Sequence, residues 1–162
     1  MNFSTADICD DFKDSGESIQ VLSPKFKSYG GLKKFQGEVI TVKLDKSNWL
    51  LLSMLKNEKS DGKIVVVDVD QAFYGIVGDK LMAFAKNNNY KAIIINGYVR
   101  DTDITKNIEV GLFAIGTCPQ RNFDKTEAFR DIELNFEGIK VKSGDYIYAD
   151  SDGVIITNKK LV

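Results

Sequence analysis

The chain has 162 residues, with 22 basic and 23 acidic side chains, a formal net charge of −1 and no histidine. This length fits one domain with its own hydrophobic core, and the balanced charge argues against direct nucleic-acid binding. The lack of histidine excludes Ser-His-Asp and Cys-His mechanisms and disfavours zinc, which leaves hard cations held by oxygen as the expected metal class.

The first predicted elements are helices. Ser4 is positioned to N-cap a helix over residues 5–13, because a serine hydroxyl can accept from the free amides of the first turn. Ser47 starts a second predicted helix, whose apolar positions at 51, 54 and 55 share one face. The run Leu50 to Leu52 also fits a strand, so both interpretations stay open there.

The middle of the chain predicts a strand, a helix and a second strand. Residues 62–68 and 92–97 are short apolar, β-branched runs, which are typical of strands buried on both faces. Between them, apolar residues at helical spacing follow Gly78, and three consecutive asparagines at 87–89 end the pattern. We therefore expect a parallel pair of strands joined by a right-handed helical crossover.

The last third is rich in strand patterns separated by glycine-containing turns. Glu137-Gly138 and Asp152-Gly153 are predicted hairpin turns. The predicted strands cover residues 111–117, 132–136, 139–141, 146–149 and 154–157. Together the segments predict an α/β domain, in which a mixed central sheet is flanked by helices.

No repeat or linker divides the sequence, so a single domain over residues 1–162 is expected. Neither a signal-like start nor a run of about 20 apolar residues is found, and we expect a cytoplasmic protein without membrane contact. Cys9 and Cys118 fit no CxxC spacing, which favours free thiols over a disulfide.

Two segments of the predicted strand–helix–strand unit carry the candidate site. Gly78-Asp79-Lys80-Leu81 leads into the helix, and Arg100-Asp101 follows the second strand. Backbone amides at the helix start could receive a carboxylate, and Arg100 could clamp it through paired hydrogen bonds. Asp101 could hold Mg²⁺, which commonly takes only one or two protein carboxylates and fills its other positions with water and substrate oxygens. A 2-oxoacid, which chelates through its keto and carboxylate oxygens, suits such a site.

Structural interpretations of the same residues remain open at this point. An Arg-Asp pair after a strand can be a simple surface ion pair, and glycines before a helix can mark a tight turn. Asp68 and Asp70 fit strand-end solvation or capping better than catalysis. The acidic run 144–154 lacks the spacing of an EF-hand, so its aspartates and glycines are expected in turns. No GxGxxG or P-loop motif supports nucleotide binding.

Several blocks in order along the chain resemble one family, the proteins grouped as regulator of ribonuclease activity A (RraA)-like proteins and class II 4-hydroxy-4-methyl-2-oxoglutarate aldolases. The resemblance covers nearly the whole chain. The blocks are Thr5 to Asp10, Phe35 to Val42, Gly78 to Leu81, Asn96 to Asp101 and Val141 to Val154. Each block is modest alone, and the ordered set is specific.

The resemblance implies a swivelling β/β/α-type fold, a homotrimer and active sites between subunits. It also implies residue roles: Gly78, Asp79, Lys80 and Leu81 bind substrate carboxylate, Arg100 contacts the oxoacid, Asp101 reaches the metal, and Asp79 acts on protons through water. The implied activity is a metal-dependent lyase that cleaves hydroxy-oxoacids to pyruvate or decarboxylates oxaloacetate. Mg²⁺ is the expected cofactor, with Mn²⁺ as the alternative.

The same resemblance implies a second function of a different class, a non-enzymatic inhibitor of ribonuclease E that contacts the nuclease rather than RNA. In the well-known regulator type the metal-binding aspartate is replaced, whereas Asp101 is present here, which favours the enzyme. Aldolase members tend to carry further acids after this position, whereas Asp103 is followed here by Ile104-Thr105-Lys106.

Overall fold

The computed structural model describes residues 2–162. The four helices lie before β7, interspersed with strands, and the elements after β7 within the described residues are strands. In chain order the elements are α1 (Thr5–Asp11), β1 (Ile19–Val21), β2 (Lys27–Ser28), β3 (Phe35–Lys43), α2 (Trp49–Asn57), β4 (Ile64–Asp68), β5 (Gly75–Val77), α3 (Asp79–Asn87), β6 (Ala92–Val99), α4 (Thr102–Thr105), β7 (Gly111–Thr117), β8 (Phe129–Arg130), β9 (Leu134–Phe136), β10 (Ile139–Val141), β11 (Tyr146–Asp150) and β12 (Gly153–Thr157).

One mixed sheet forms the centre of the fold. Its strand order is β1-β12-β11-β3-β4-β6-β7-β2, with β5 added to β6, β8 added to β3, and β9 and β10 forming a separate hairpin. The four central strands β3, β4, β6 and β7 run parallel, and the flanking strands are antiparallel. The predicted α/β class with a mixed sheet and flanking helices is confirmed, including the parallel pairing of β4 with β6.

Successive side chains of the central strands point to opposite faces of the sheet, and an apolar core covers each face. Val65 and Val67 of β4 join α2 and α3 in one apolar core, whereas Ile64 and Val66 join the β9–β10 hairpin in a second core on the other face. A third cluster packs α1 against β11 and β12. The continuous apolar runs of β4 and β6 follow from this double burial.

The helix starts match the sequence to within a residue or two. The Ser4 hydroxyl accepts from the Asp7 amide at 3.3 Å, as predicted, and α1 ends at Asp11. The second predicted helix is present with its apolar positions buried, but it begins at Trp49 rather than at Ser47, whose hydroxyl donates to the Asp124 carbonyl at 2.6 Å. The alternative strand at Leu50 to Leu52 is wrong, because these residues lie in α2.

The predicted turns are present with one shift. Glu137 and Gly138, both at positive φ, connect β9 to β10, as expected of a two-residue hairpin turn. In the other hairpin Gly153 already pairs with Asp150 as the first residue of β12, so the turn lies one residue earlier than predicted. The strand predicted from residue 132 begins at Leu134.

Two further sequence predictions concern cysteines and membrane spans. Cys9 and Cys118 are free thiols, as expected. None of the helices within residues 2–162 combines the length and apolar character that crossing a bilayer requires.

Candidate functional site

The candidate site lies where β5 and β6 end side by side. These strands are parallel, and Val77 of β5 pairs with Val99 of β6. The Arg100 amide donates to the Val77 carbonyl at 2.9 Å, which holds the exit of β6 against the entry to α3. Ligands of α/β folds bind beyond the carboxyl ends of parallel strands and at helix N-termini, and both features meet here.

Gly78 allows the Asp101 carboxylate to lie against the start of α3. Its backbone is extended, with φ −135° and ψ −160°, a conformation that any residue adopts. The requirement for glycine is steric, because a Cβ atom at this position would lie 2.4 Å from Asp101 Oδ2. The Asp79 amide donates to the same oxygen at 3.3 Å. The glycine therefore creates room for a carboxylate rather than a turn.

The amides at the helix start are partly engaged within the chain. The Asp79 amide donates to Asp101, and the Lys80 amide donates to Asp79 Oδ1 at 2.8 Å. Two of the three amides predicted to receive a substrate carboxylate thus already contact carboxylate oxygens. The helix start is thus a position that holds carboxylate oxygens by its own contacts.

Arg100 does not form a strong ion pair. Its Nε lies 4.0 Å from Asp101 Oδ2, at the outer limit of an ionic contact, and its Nη1 donates to the Pro119 carbonyl at 3.4 Å. About one third of each side chain in the pair is exposed. The surface ion pair considered as the structural alternative is therefore weak, and the guanidinium retains donors that can face a ligand.

A small pocket of about 110 Å³ collects all the predicted site residues. This volume is well below the roughly 300–1,000 Å³ of pockets for drug-sized ligands, and it suits a molecule of few atoms. The lining residues are Asn48, Leu52, Ile76, Gly78, Asp79, Lys80, Leu81, Phe84, Arg100, Asp101 and Arg121. A larger groove of about 590 Å³, between the β1–β2 region and the β11–β12 turn, contains none of the predicted site residues.

Two polar residues of the pocket, Asn48 and Arg121, were missed by the sequence analysis. Arg121 Nη2 donates to Asn48 Oδ1 at 2.9 Å, and Asn48 Nδ2 donates to the Ile76 carbonyl at 2.6 Å. Arg121 lies in the irregular segment between β7 and β8, which reaches the site because the Gly75 amide donates to the Gln120 carbonyl at 2.7 Å. Neither residue belongs to a periodic pattern or motif that could have indicated it.

The two arginines of the pocket influence each other electrostatically. Burial lowers the pKa of the Arg121 guanidinium, and the positive charge of Arg100 lowers it further. A guanidinium remains charged in proteins despite such shifts, so both cations persist at neutral pH. The pocket therefore concentrates positive charge beside the Asp101 carboxylate and favours an anionic ligand.

The donor set fits a hard divalent cation that keeps most of its water. Asp79 and Asp101 are the carboxylates that line the pocket, and within residues 2–162 there is no group of three or more Asp, Glu, Cys or His side chains able to hold a metal. That composition argues against a closed zinc or calcium cage. It agrees with Mg²⁺, which binds through one or two carboxylates plus substrate oxygens.

The other acidic candidates have structural partners. Asp68 is buried and accepts from Lys43 Nζ at 2.8 Å and from Asn96 Nδ2 at 2.9 Å. Asp70 pairs with the same Lys43 at 2.8 Å. In the acidic run, Gly144 lies in a turn, whereas Gly153 is the first residue of β12. Asp68 and Asp70 thus have structural partners, as expected, and the turn prediction for the acidic run is confirmed only in part.

Comparison with known proteins gives consistent matches over the whole chain. The family model described as "RraA-like: Aldolase/RraA" matches residues 5–156. A Bacillus cereus protein named "Putative 4-hydroxy-4-methyl-2-oxoglutarate aldolase" is 38% identical over 160 residues, which cover 98% of each chain. A Dechloromonas aromatica protein of the same name is 32% identical over 163 residues, which cover 99% of each chain.

Solved structures match equally well under two different names. A Geobacillus kaustophilus structure, described as an S-adenosylmethionine:2-dimethylmenaquinone methyltransferase, has a TM-score of 0.90 and 36% identity, covering 98% of this chain and 97% of its own. The RNA-processing inhibitor RraA from Thermus thermophilis has a TM-score of 0.91 and 26% identity, covering 100% of this chain and 96% of its own.

Proposed function

Because this chain belongs to the RraA-like family of aldolases and RraA proteins, we propose that it is a divalent-metal-dependent carbon–carbon lyase acting on small 2-oxoacids. Its substrates are 4-hydroxy-4-methyl-2-oxoglutarate-type acids, which it cleaves to pyruvate, and oxaloacetate, which it decarboxylates. The observation that carries the proposal is the meeting of Arg100, Asp101 and the start of α3 in one small pocket. The methyltransferase name of one structural neighbour receives no support at this site, since a pocket of about 110 Å³ is small for a nucleoside cofactor.

Each site residue has a role that its position supports. The amides of Asp79, Lys80 and Leu81 at the start of α3 bind the carboxylate next to the keto group, with the helix dipole adding to their attraction. Arg100 donates to the keto oxygen and to a neighbouring carboxylate oxygen, a geometry that suits its planar guanidinium. Asp101 would hold Mg²⁺ or Mn²⁺, and such an ion, when bound, supplies Lewis-acid polarisation of the keto group.

The reaction removes one proton and returns one. In aldol cleavage the C4 hydroxyl loses its proton, the C3–C4 bond breaks, and its electron pair forms the enolate of pyruvate; the hydroxyl carbon becomes the carbonyl of a second pyruvate. A proton added to C3 completes the balance. Arg100 stabilises the charge that develops on the keto oxygen, where a fixed donor lowers the barrier most. Asp79 exchanges the protons, directly or through water.

Decarboxylation of oxaloacetate needs only the later steps of this reaction, from cleavage of the C3–C4 bond onwards. Its C3–C4 bond breaks with loss of CO₂, the same enolate forms, and one proton is added to C3. The charge on the keto oxygen is the same in both reactions, so Arg100 serves both. A chain without histidine can perform this chemistry, because the proton carrier is a carboxylate.

The experiment is pyruvate formation by the purified protein with 4-hydroxy-4-methyl-2-oxoglutarate and, separately, with oxaloacetate. Mg²⁺ alone promotes oxaloacetate decarboxylation, so protein-free samples with the same Mg²⁺ are subtracted. Wild-type protein should form pyruvate, and EDTA should abolish the activity. Asp101→Ala should lose it, whereas the matched control Asp103→Ala, whose side chain is fully exposed, should retain it. Equal activity of Asp101→Ala and wild type would remove the proposal.

A second candidate function is inhibition of ribonuclease E through protein contact. The observation that favours it is the similarity to the Thermus RraA structure, which extends over the entire chain. The net charge of −1 agrees with a protein target better than with RNA. A pull-down with ribonuclease E at low salt, followed by an RNA cleavage assay, tests this function. Absence of both binding and inhibition would exclude it.

A further inference from the structure

We propose that Arg121 is the specificity residue of the pocket and selects 2-oxoacids that carry a second carboxylate, by binding that distal carboxylate. The inference rests on the proposed function, because it assumes that Arg100 and the start of α3 hold the 2-oxoacid end. It adds the part of the pocket that recognises the rest of the substrate. Both substrates of the proposed function carry a second carboxylate, and the inference assigns the residue that binds it.

Arg121 reaches the pocket from a different part of the chain than Arg100. Arg100 follows β6, whereas Arg121 lies beyond β7 and is held through Asn48, the residue just before α2. Both arginines line the same pocket and are close enough for the charge of Arg100 to affect Arg121. Two cations from separate elements around one small volume match a ligand with two separated negative charges.

The Arg121 guanidinium is held in place before any ligand binds. Its central carbon lies 4.4 Å from the centre of the Phe123 ring and 5.0 Å from that of the Trp49 ring. Its Nη2 donates to Asn48, which is itself tied to the Ile76 carbonyl. Aromatic contacts and a hydrogen bond on one edge fix the orientation of the group, which reduces the entropy lost on ligand binding.

Arg121 lacks an anionic partner within residues 2–162. None of the ion pairs in this part of the chain includes it, and its buried Nε has no hydrogen-bond acceptor. The pocket contains three cationic side chains, Lys80, Arg100 and Arg121, against the two carboxylates of Asp79 and Asp101. A partly buried cation without a counter-charge is costly, and a ligand carboxylate would remove that cost.

Binding and catalysis give two separate tests. For binding, we compare 2-oxoglutarate with 2-oxopentanoate, which has the same five carbons but a methyl group in place of the distal carboxylate, by calorimetry in saturating Mg²⁺. For catalysis, we compare 4-hydroxy-4-methyl-2-oxoglutarate with 4-hydroxy-4-methyl-2-oxopentanoate, which yields pyruvate and acetone. Wild-type protein should prefer the dicarboxylate by about 10- to 100-fold in both, as expected of hydrogen bonds between charged groups.

In Arg121→Gln the preference should fall to about one, and in Arg121→Lys it should be reduced, because a point charge replaces a planar fork. Lys125→Gln is the matched control: Lys125 Nζ lies over the same Trp49 ring, at 3.1 Å from its centre, but does not line the pocket, so the preference should be unchanged. Thermal unfolding establishes that each variant is folded. If Arg121→Gln does not fold, Arg121→Lys carries the test.

A wild-type preference near one, or a preference that survives in Arg121→Gln or is unaffected in a folded Arg121→Lys, overturns the role of Arg121 while leaving the lyase proposal intact. Wild-type protein that binds 2-oxoglutarate selectively through Arg121 but forms no pyruvate refutes the lyase proposal and supports the binding role. Wild-type protein that binds neither acid and forms no pyruvate refutes both. The two failures are thus distinguishable.

Discussion

Replacing Gly78 with alanine would place a single methyl group against the Asp101 carboxylate. An added Cβ lies 2.4 Å from Asp101 Oδ2, whereas close carbon–oxygen contacts in proteins are about 3.3 Å or longer, so the carboxylate must retreat by roughly 1 Å. The extended backbone at Gly78 accepts alanine without strain, so the change acts through side-chain contacts, chiefly this one and a weaker one with Arg100 Cγ at 3.3 Å. A displacement of roughly 1 Å in a catalytic group can lower the rate about 100-fold.

We therefore expect Gly78→Ala to lower kcat/KM for pyruvate formation about 100-fold and to weaken Mg²⁺ binding, with a change of less than about 1 kcal/mol in the free energy of unfolding. The measurements are pyruvate production, Mg²⁺ titration and thermal unfolding. Gly116→Ala is the control, because its Cβ would meet Tyr98 Cε1 at 3.1 Å outside the pocket. A folded Gly78→Ala variant with wild-type kcat/KM would refute the argument that the Asp101 carboxylate must occupy this position.

Three further predictions concern other parts of the molecule. Arg100→Lys should lower kcat/KM by about 10- to 100-fold despite the retained charge, since the paired hydrogen bonds are lost; steady-state kinetics that match wild type would contradict the clamp. Thr5→Val removes the 2.7 Å hydrogen bond from Thr5 Oγ1 to Asp150, and urea unfolding at pH 7 should show a loss of about 1–2 kcal/mol. Burial raises the pKa of Asp150, but hydrogen bonds from Thr5 and Asp152 outweigh it and hold the pKa below its ordinary value. The stabilisation linked to this lowered pKa is present above about pH 4 and is lost as pH falls through the lowered pKa. A difference in the free energy of unfolding between Thr5→Val and wild type that persists at low pH would therefore count against this origin. Light scattering after gel filtration should give the mass of three chains, and a monomer would argue against sites shared between subunits.

The sequence predicted those parts of the fold whose patterns are local. The apolar runs of β4 and β6 and the helical spacing of α3 determined the parallel unit, and the positions of Gly78 and Arg100 followed from it. The exposed strands β2 and β8, two residues each, carry no burial pattern, and their pairing depends on contacts made only after folding. Strand β5 is too short for periodicity to identify.

The sequence likewise predicted some residues of the candidate site and missed others. Gly78, Asp79, Arg100 and Asp101 belong to segments next to recognisable elements, so both spacing and family resemblance indicated them. Arg121 could not be found by either route, because the irregular segment that carries it is brought to β5 by backbone hydrogen bonds formed only in the folded chain. That Asp101 would accept the first amide of α3 was likewise beyond sequence reasoning.

Asp101 holds a left-handed backbone conformation, with φ 56° and ψ 34°, which glycine adopts freely and aspartate or asparagine only at some cost. Aspartate here costs roughly 1 kcal/mol relative to glycine, so folding stability and the proposed role of Asp101 as a metal ligand are opposed at this position. A lineage released from selection at this position would gain stability by accepting glycine, and each later return to aspartate would have to reverse that gain. Loss of the carboxylate at this position is therefore easier in evolution than its recovery, and a raised melting temperature of Asp101→Gly would be its physical signature.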